Sequence, residues 1–160
     1  MHYLKLLKLL YLADREALLR WGIPITWDRY VSMDQGPVPS NAYRLVVEDL
    51  PNPAWAKHIS PPLGDYEIEL RGAPAATDLL SPAEEQLLRE VFERYGGKNR
   101  RELVRIMHEL PEWRDPRGSA LPISIREIFQ GASWEEADIQ AVLAELDSAQ
   151  SGRDILSGRM

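Results

Sequence analysis

Cysteine is absent from the 160-residue chain. Disulfides, thiolate zinc sites and a cysteine nucleophile are therefore excluded, and the composition fits a reducing cytoplasm. Histidine is scarce: His2, His58 and His108 stand alone, without a second His or a carboxylate at metal-ligand spacing. "HELPEW" is not the His-Glu-x-x-His zinc helix, because Pro111 interrupts it and no second His follows. Neither a metal nor a cofactor is expected. A Gly-x-Ser-x-Gly elbow is missing, and Gly96-Gly97-Lys98 lacks both the spacing and the preceding strand of a phosphate loop. No apolar run reaches the ~18 residues that span a bilayer. The first segment carries Lys5, Lys8, Asp14, Arg15 and Glu16 and has no small-residue cleavage site, unlike a signal peptide. Positive charge is also short: 19 Lys and Arg stand against 25 Asp and Glu, a net charge of −6, and both halves are acidic. That balance disfavours non-specific nucleic-acid binding. Lys98, Arg100, Arg101 and Arg105 form a local basic cluster, read either as a solvated helix face or as a docking patch.

What is present is helix signal. The length suits one domain able to bury about two-thirds of its unfolded surface without metal or disulfide support. "HYLKLLKLLYLADREALLR" predicts a helix over 2–20, ended by Gly22 and Pro24. A helix over 39–49 follows, with Pro39 in its first turn and Ala42, Leu45, Val46 and Leu50 on its buried face. "SPAE" is a capping box opening a helix with the stripe Leu87, Leu88, Val91, Phe92 and Tyr95, stopped at Gly96-Gly97. Asn99 and Glu102 open "NRRELVRIMHEL", which Pro111 ends. The short turn between these two helices predicts an antiparallel pair. Ser133 and Glu136 make a third box, ahead of Ile139, Val142, Leu143 and Leu146.

Residues 51–80 hold Pro51, Pro53, Pro61, Pro62 and Pro74, which keep helix interiors out of this stretch. "DYEIELRG" alternates apolar and polar residues as a half-buried strand does, with "WAKHIS" as its partner. The expected architecture is mainly α, an α+β fold: a compact helical domain over 1–147 with a small β element around 25–33 and 55–71. Residues 148–160 form a polar tail expected to fray.

One residue breaks the pattern. Turned at ~100° per residue, the first helix places Asp14 on the face of Leu7, Leu10, Tyr11 and Leu18, opposite Lys5, Lys8, Arg15 and Glu16. A buried carboxylate needs hydrogen bonds or a partner charge. It serves either as a general acid or base with His108, or as a structural bolt to an Arg, a Tyr, a Trp or the amides around Gly36. The same helix carries Leu9, Leu12 and Leu19 near its polar side. A helix apolar nearly all round is wrapped by later segments, by another chain or by a preceding helix.

These residues resemble a known family. "LKLLKLLYLADREALLRWGIPITWDRYVSMDQGPVPSNAY" is similar to the opening signature of Panacea-domain, SocA-like antitoxin proteins. The pattern falls on Lys8, Leu9, Leu10, Tyr11, Asp14, Gly36, Pro37, Val38 and Tyr43. "ELVRIMHELPEW" resembles the second signature through Leu103, His108, Glu109, Pro111 and Trp113, and "LPISIREIF" resembles the closing segment. The likeness covers about residues 3–130. Relatives carry a further helical segment ahead of the Lys-Leu-Leu-Tyr helix.

The resemblance implies a bacterial protein–protein binding module and not an enzyme. Such proteins belong to toxin–antitoxin pairs and prophages; some neutralise a cognate toxin directly, and at least one kind delivers a toxin to a protease. The resemblance also suggests that Asp14 ties the first helix to the Gly36-Pro37 loop or to "HELPEW". Candidate anchors on the partner-facing surface are Trp27, Tyr30, Arg44 and Trp113. Two rival classes stay open: a DNA-binding prophage or stress regulator using Lys98–Arg105, and a hydrolytic enzyme using Asp14 and His108.

Overall fold

The first helix, α1 (Tyr3–Trp21), is the axis of the molecule. In the computed structural model, which describes residues 1–48 and 51–158, ten of its nineteen residues are buried. His2 caps it by accepting the Leu4 N–H on its ring. Gly22 ends it at φ 72, a left-handed conformation that returns its N–H to the Leu18 carbonyl at 2.8 Å.

The chain wraps this helix with its own later segments. β1 (Tyr30–Ser32) and β2 (Val38–Pro39) lead into α2 (Ser40–Val47) and α3 (Pro53–His58). α4 (Pro82–Tyr95), α5 (Arg100–His108), β3 (Leu121–Ile123), α6 (Ile125–Gly131) and α7 (Glu136–Leu156) complete the described elements. β2, α2, α4 and α5 all pack on α1. Leu12, on the nominally polar side, is buried beside a narrow cleft lined by Val91, Tyr95, Ile106 and Leu110. Leu9 is buried and Leu19 packs against the core. Of the three ways to cover an all-apolar helix, the fold uses wrapping by the same chain.

The mainly helical class with a small β element is correct, and β1 falls within the expected 25–33, but its partners are β2 and β3 and not the 55–71 stretch. The strand order is β2-β1-β3, antiparallel throughout. Tyr30 faces Pro39 on one side and Ile123 on the other, and Val31 lies between Val38 and Pro122. "WAKHIS" is largely the helix α3, capped by Asn52 with Pro53 at its start. "DYEIELRG" forms isolated bridges, Ile59 with Leu70, Leu63 with Glu67 and His2 with Glu67. Only Ile68 of its alternating residues is buried; Tyr66 and Leu70 are exposed. Pro61, Pro62 and the left-handed Gly64 and Tyr66 prevent a continuous ladder.

Helix termini follow local chemistry. Ser81–Glu84 and Asn99–Glu102 both form the expected capping boxes. A third box forms at Ser124–Glu127, opening α6. Ser133 does not cap α7; it adopts φ 62, and Glu135 is the cap residue without a side-chain bond. α4 and α5 pack chiefly on α1, and Phe92 projects into solvent. The tail expected to fray is helical to Leu156. Ser148 and Ser151 donate to the carbonyls of Ala144 and Asp147, so its polar side chains are satisfied along the helix. Ile139 and Leu146 are buried, with Val142 and Leu143 packed beside them. On α2, Val46 is buried and Ala42 and Tyr43 pack against the second apolar cluster. The expected extension to Asp49 and the placement of Leu50 fall outside the described residues. Among the described residues, no helix is long and apolar enough to cross a membrane.

Candidate functional site

Three polar side chains of α1 reach out to three different segments. The first is Lys8, expected on the solvated face and in fact 1 % exposed. Its Nζ donates to the carbonyls of Gly36 at 3.0 Å and Pro37 at 3.2 Å. Desolvation pushes its pKa down to about 7. Gly36 is required here: it sits at φ 98, and a Cβ would overlap Cβ of Met107 on α5. Pro37 and Val38 are buried beside it, and Tyr43 packs over the same cluster.

Tyr11 is the second. Its hydroxyl donates to Glu112 at 2.8 Å, and Arg15 pairs with the same carboxylate at 2.7 Å. The Glu112 side chain has no exposed surface, while Arg15 retains a little. Burial, and then the Glu112 charge, raise the Tyr11 pKa well above the usual phenol range. Glu112 therefore locks the turn after α5 against α1.

Asp14 is the third, and it is fully buried. Oδ1 accepts the N–H groups of Ile25 and Thr26, each at 2.9 Å. Oδ2 accepts the Tyr30 hydroxyl at 2.9 Å and the Thr26 hydroxyl. Burial raises its pKa, and the four donors oppose that shift. The bolt thus fastens the Ile25-Thr26 loop and β1. The expected partners, Gly36-Pro37 and "HELPEW", are held instead by Lys8 and Tyr11. The Tyr11 and Tyr30 rings meet edge to face at 5.4 Å and join the two networks.

His108 and Asp14 are not brought into bonding contact. His108 stacks on Trp113 with ring centroids 4.0 Å apart, and its Nε2 lies 2.8 Å from the Asp34 carbonyl. Trp113 donates its indole N–H to the Met33 carbonyl at 3.0 Å. Glu109 is exposed at the end of α5 and joins none of these networks. Of the anchor candidates, Tyr30 is core. Trp27 is half-buried under the Arg153 guanidinium, 4.8 Å from its ring centre. Arg44 is exposed and paired with Glu48.

Sequence reasoning missed Glu112, Arg15 and Thr26 as members of these networks. Glu112 offered one signal: a carboxylate between Pro111 and Trp113 in a stretch already singled out. Thr26 offered another, as the one hydroxyl in a loop that must satisfy a buried acid nearby.

The family model described as antitoxin SocA-like, Panacea domain, matches residues 6–114. No curated protein and no solved structure gives a significant match. The matched span holds Lys8, Tyr11, Asp14, Gly36 and Glu112, and ends ahead of "LPISIREIF". It supports an antitoxin-type function and suggests a non-enzymatic role. The three bolted segments around α1 are thus the frame of a domain already grouped by sequence, and the chain belongs to the SocA-like antitoxin, Panacea-domain family.

Proposed function

We propose that this chain binds and neutralises a cognate bacterial toxin in the cytoplasm, holding it directly or handing it to a protease. One observation carries the reading beyond family membership. The Asp14 carboxylate, the best candidate for proton transfer, has both oxygens covered by four donors of its own chain. A general base needs an oxygen within reach of a substrate proton, and this one faces Thr26 and Tyr30. The signature residues thus act as a scaffold, and the work falls to the surface they hold in place.

Co-expression with a small protein from a neighbouring gene that proves toxic when expressed alone tests this. The wild-type chain should restore growth, and His108→Gln should retain rescue. Turnover of a substrate by the purified protein, lost in His108→Gln without unfolding, would overturn the binding-module reading. The two modes of neutralisation separate by toxin lifetime: an adaptor shortens it in protease-competent cells, whereas direct sequestration leaves a stable complex.

A further inference from the structure

Past Leu146, its last buried residue, α7 has little to hold it. Among the described residues, every hydrogen bond of 147–157 stays within the helix and its cap. No ion pair reaches this stretch from elsewhere in the described chain. Ile155 and Leu156 are exposed. Local propensity does not favour helix here either. Gly152 is a poor helix former, and Ser148 and Ser151 turn their hydroxyls back on helix carbonyls, which weakens a helix slightly. A helical end of this length is marginal in water unless packing supports it.

What this stretch meets is Trp27. The Arg153 guanidinium lies over the indole ring, 4.8 Å from its centre, in a cation–π contact. The Trp27 side of that contact is fixed. Trp27 holds φ 55, a left-handed conformation that a bulky residue keeps only where its surroundings impose it. Its neighbours do so. Thr26 is bonded to Asp14 through both its N–H and its hydroxyl, and the Asp28 carboxylate accepts the Asn41 and Ala42 N–H groups, each at 2.9 Å. A groove runs between α7 and the body on either side of the ring. It holds about 660 Å³ towards Leu45 and Leu156, and about 560 Å³ towards Pro24 and Leu143. Trp27, Gln150 and Asp154 border both parts, so α7 meets the body at Trp27 with open groove to each side.

We propose that residues 147–157 are a strap, latched by Arg153 on Trp27, which opens without unfolding the rest of the domain and bares the indole face. A contact of this kind at an exposed site shifts an equilibrium only about two- to fivefold, so the latch releases under native conditions. The contact is autoinhibitory in form: while it is closed, the chain's own Arg153 occupies the ring. The strap stands on this geometry. Its use, withholding Trp27 from the partner protein until the strap lifts, rests on the binding-module reading.

Native-state hydrogen exchange of the full chain tests this. Amides of 150–156 should exchange at least about tenfold faster than those of 139–146. Arg153→Gln should raise the exchange of 150–156 a further step of about two- to fivefold, leaving 139–146 and α1 unchanged. Trp27→Leu should do the same, and the double variant should fall short of the product of the two effects. A full product would mean that Arg153 acts on the helix end and not on Trp27. A second readout does not need the Trp27 variant to fold: a neutral gadolinium chelate in solution should broaden the Trp27 ring signals more in Arg153→Gln than in wild type, and those of Trp113 equally in both. Uniform protection along α7, indifference of 150–156 to Arg153→Gln, or unchanged broadening of Trp27 would overturn the proposal. Any of these, with toxin rescue by wild type intact, sinks the strap and leaves the antitoxin reading standing. Failed rescue by wild type, with the exchange and broadening effects intact, does the reverse.

Discussion

Lys8, Tyr11 and Asp14 occupy a sector of about 120° on α1, and each fixes a different later segment. Asp14 has the most at stake, because its four donors include the buried Tyr30 hydroxyl. Asp14→Ala should cost about 1–3 kcal/mol, the penalty for a buried donor left without an acceptor. Urea denaturation measures it, and a loss near zero would show that water replaces the carboxylate. Lys8 makes a prediction about pH. Its folded pKa, about 7, lies below the unfolded 10.5, so between these values the unfolded chain binds more protons. Stability therefore rises with pH across that window; below it both states are charged and the burial penalty is present in full. Above about pH 10 the trend reverses, because burial raises Tyr11 and Tyr30 and the unfolded phenols ionise first. The denaturation midpoint should climb from pH 7 towards 9, and Lys8→Met should flatten that climb. Parallel profiles for the two proteins would refute the assignment.

Among the elements, the long helices could be read from their period, α2 from Pro39 in its first turn and β1 from the extended-favouring Tyr30 and Val31, whereas α3, β3 and α6 could not. α1, α4, α5 and α7 each repeat an apolar position often enough to reveal period and face. β3 has three residues and only Ile123 buried, so it shows no period, and α6 follows it with only about two turns. The site divides the same way. Asp14 stood out because a carboxylate on an apolar face violates a local rule. Lys8 did not, since a lysine on the other face looks solvated until the Gly36 and Pro37 carbonyls fold over it. Glu112 was equally silent: its partners lie about a hundred residues back in the chain. One element contact, α5 on the loop before β2, rests on a single glycine. Gly36→Ala places a Cβ against that of Met107 at φ 98. The backbone strain alone should cost about 1–3 kcal/mol. Met107→Ala should not relieve it, because the clash is with Cβ itself. A double variant as stable as wild type would show that the loop moves instead.

At the scale of the molecule, stability should fall off with distance from α1. That helix contributes to both apolar clusters, through Leu9, Leu12 and Leu18 to one and Leu7 to the other. It supplies six of the fifteen buried residues of the larger cluster, so its amides should open only on global unfolding. The segment from Pro61 to Leu80 is the opposite case. Ile68 is its one buried apolar residue, while Leu63, Tyr66, Leu70 and Leu79 are exposed. Its tie to α1 runs through Ile68 and Tyr66, which pair with the backbone of Met1 and Tyr3. Native-state hydrogen exchange should therefore show the interior amides of α1 exchanging at the rate set by the full unfolding free energy. Residues 72–79 should exchange orders of magnitude faster, and Asp14→Ala should raise the exchange of α1 while leaving that segment unchanged. Equal protection of the two regions would mean that α1 is not the hub, and that the wrapped-helix account of this fold fails.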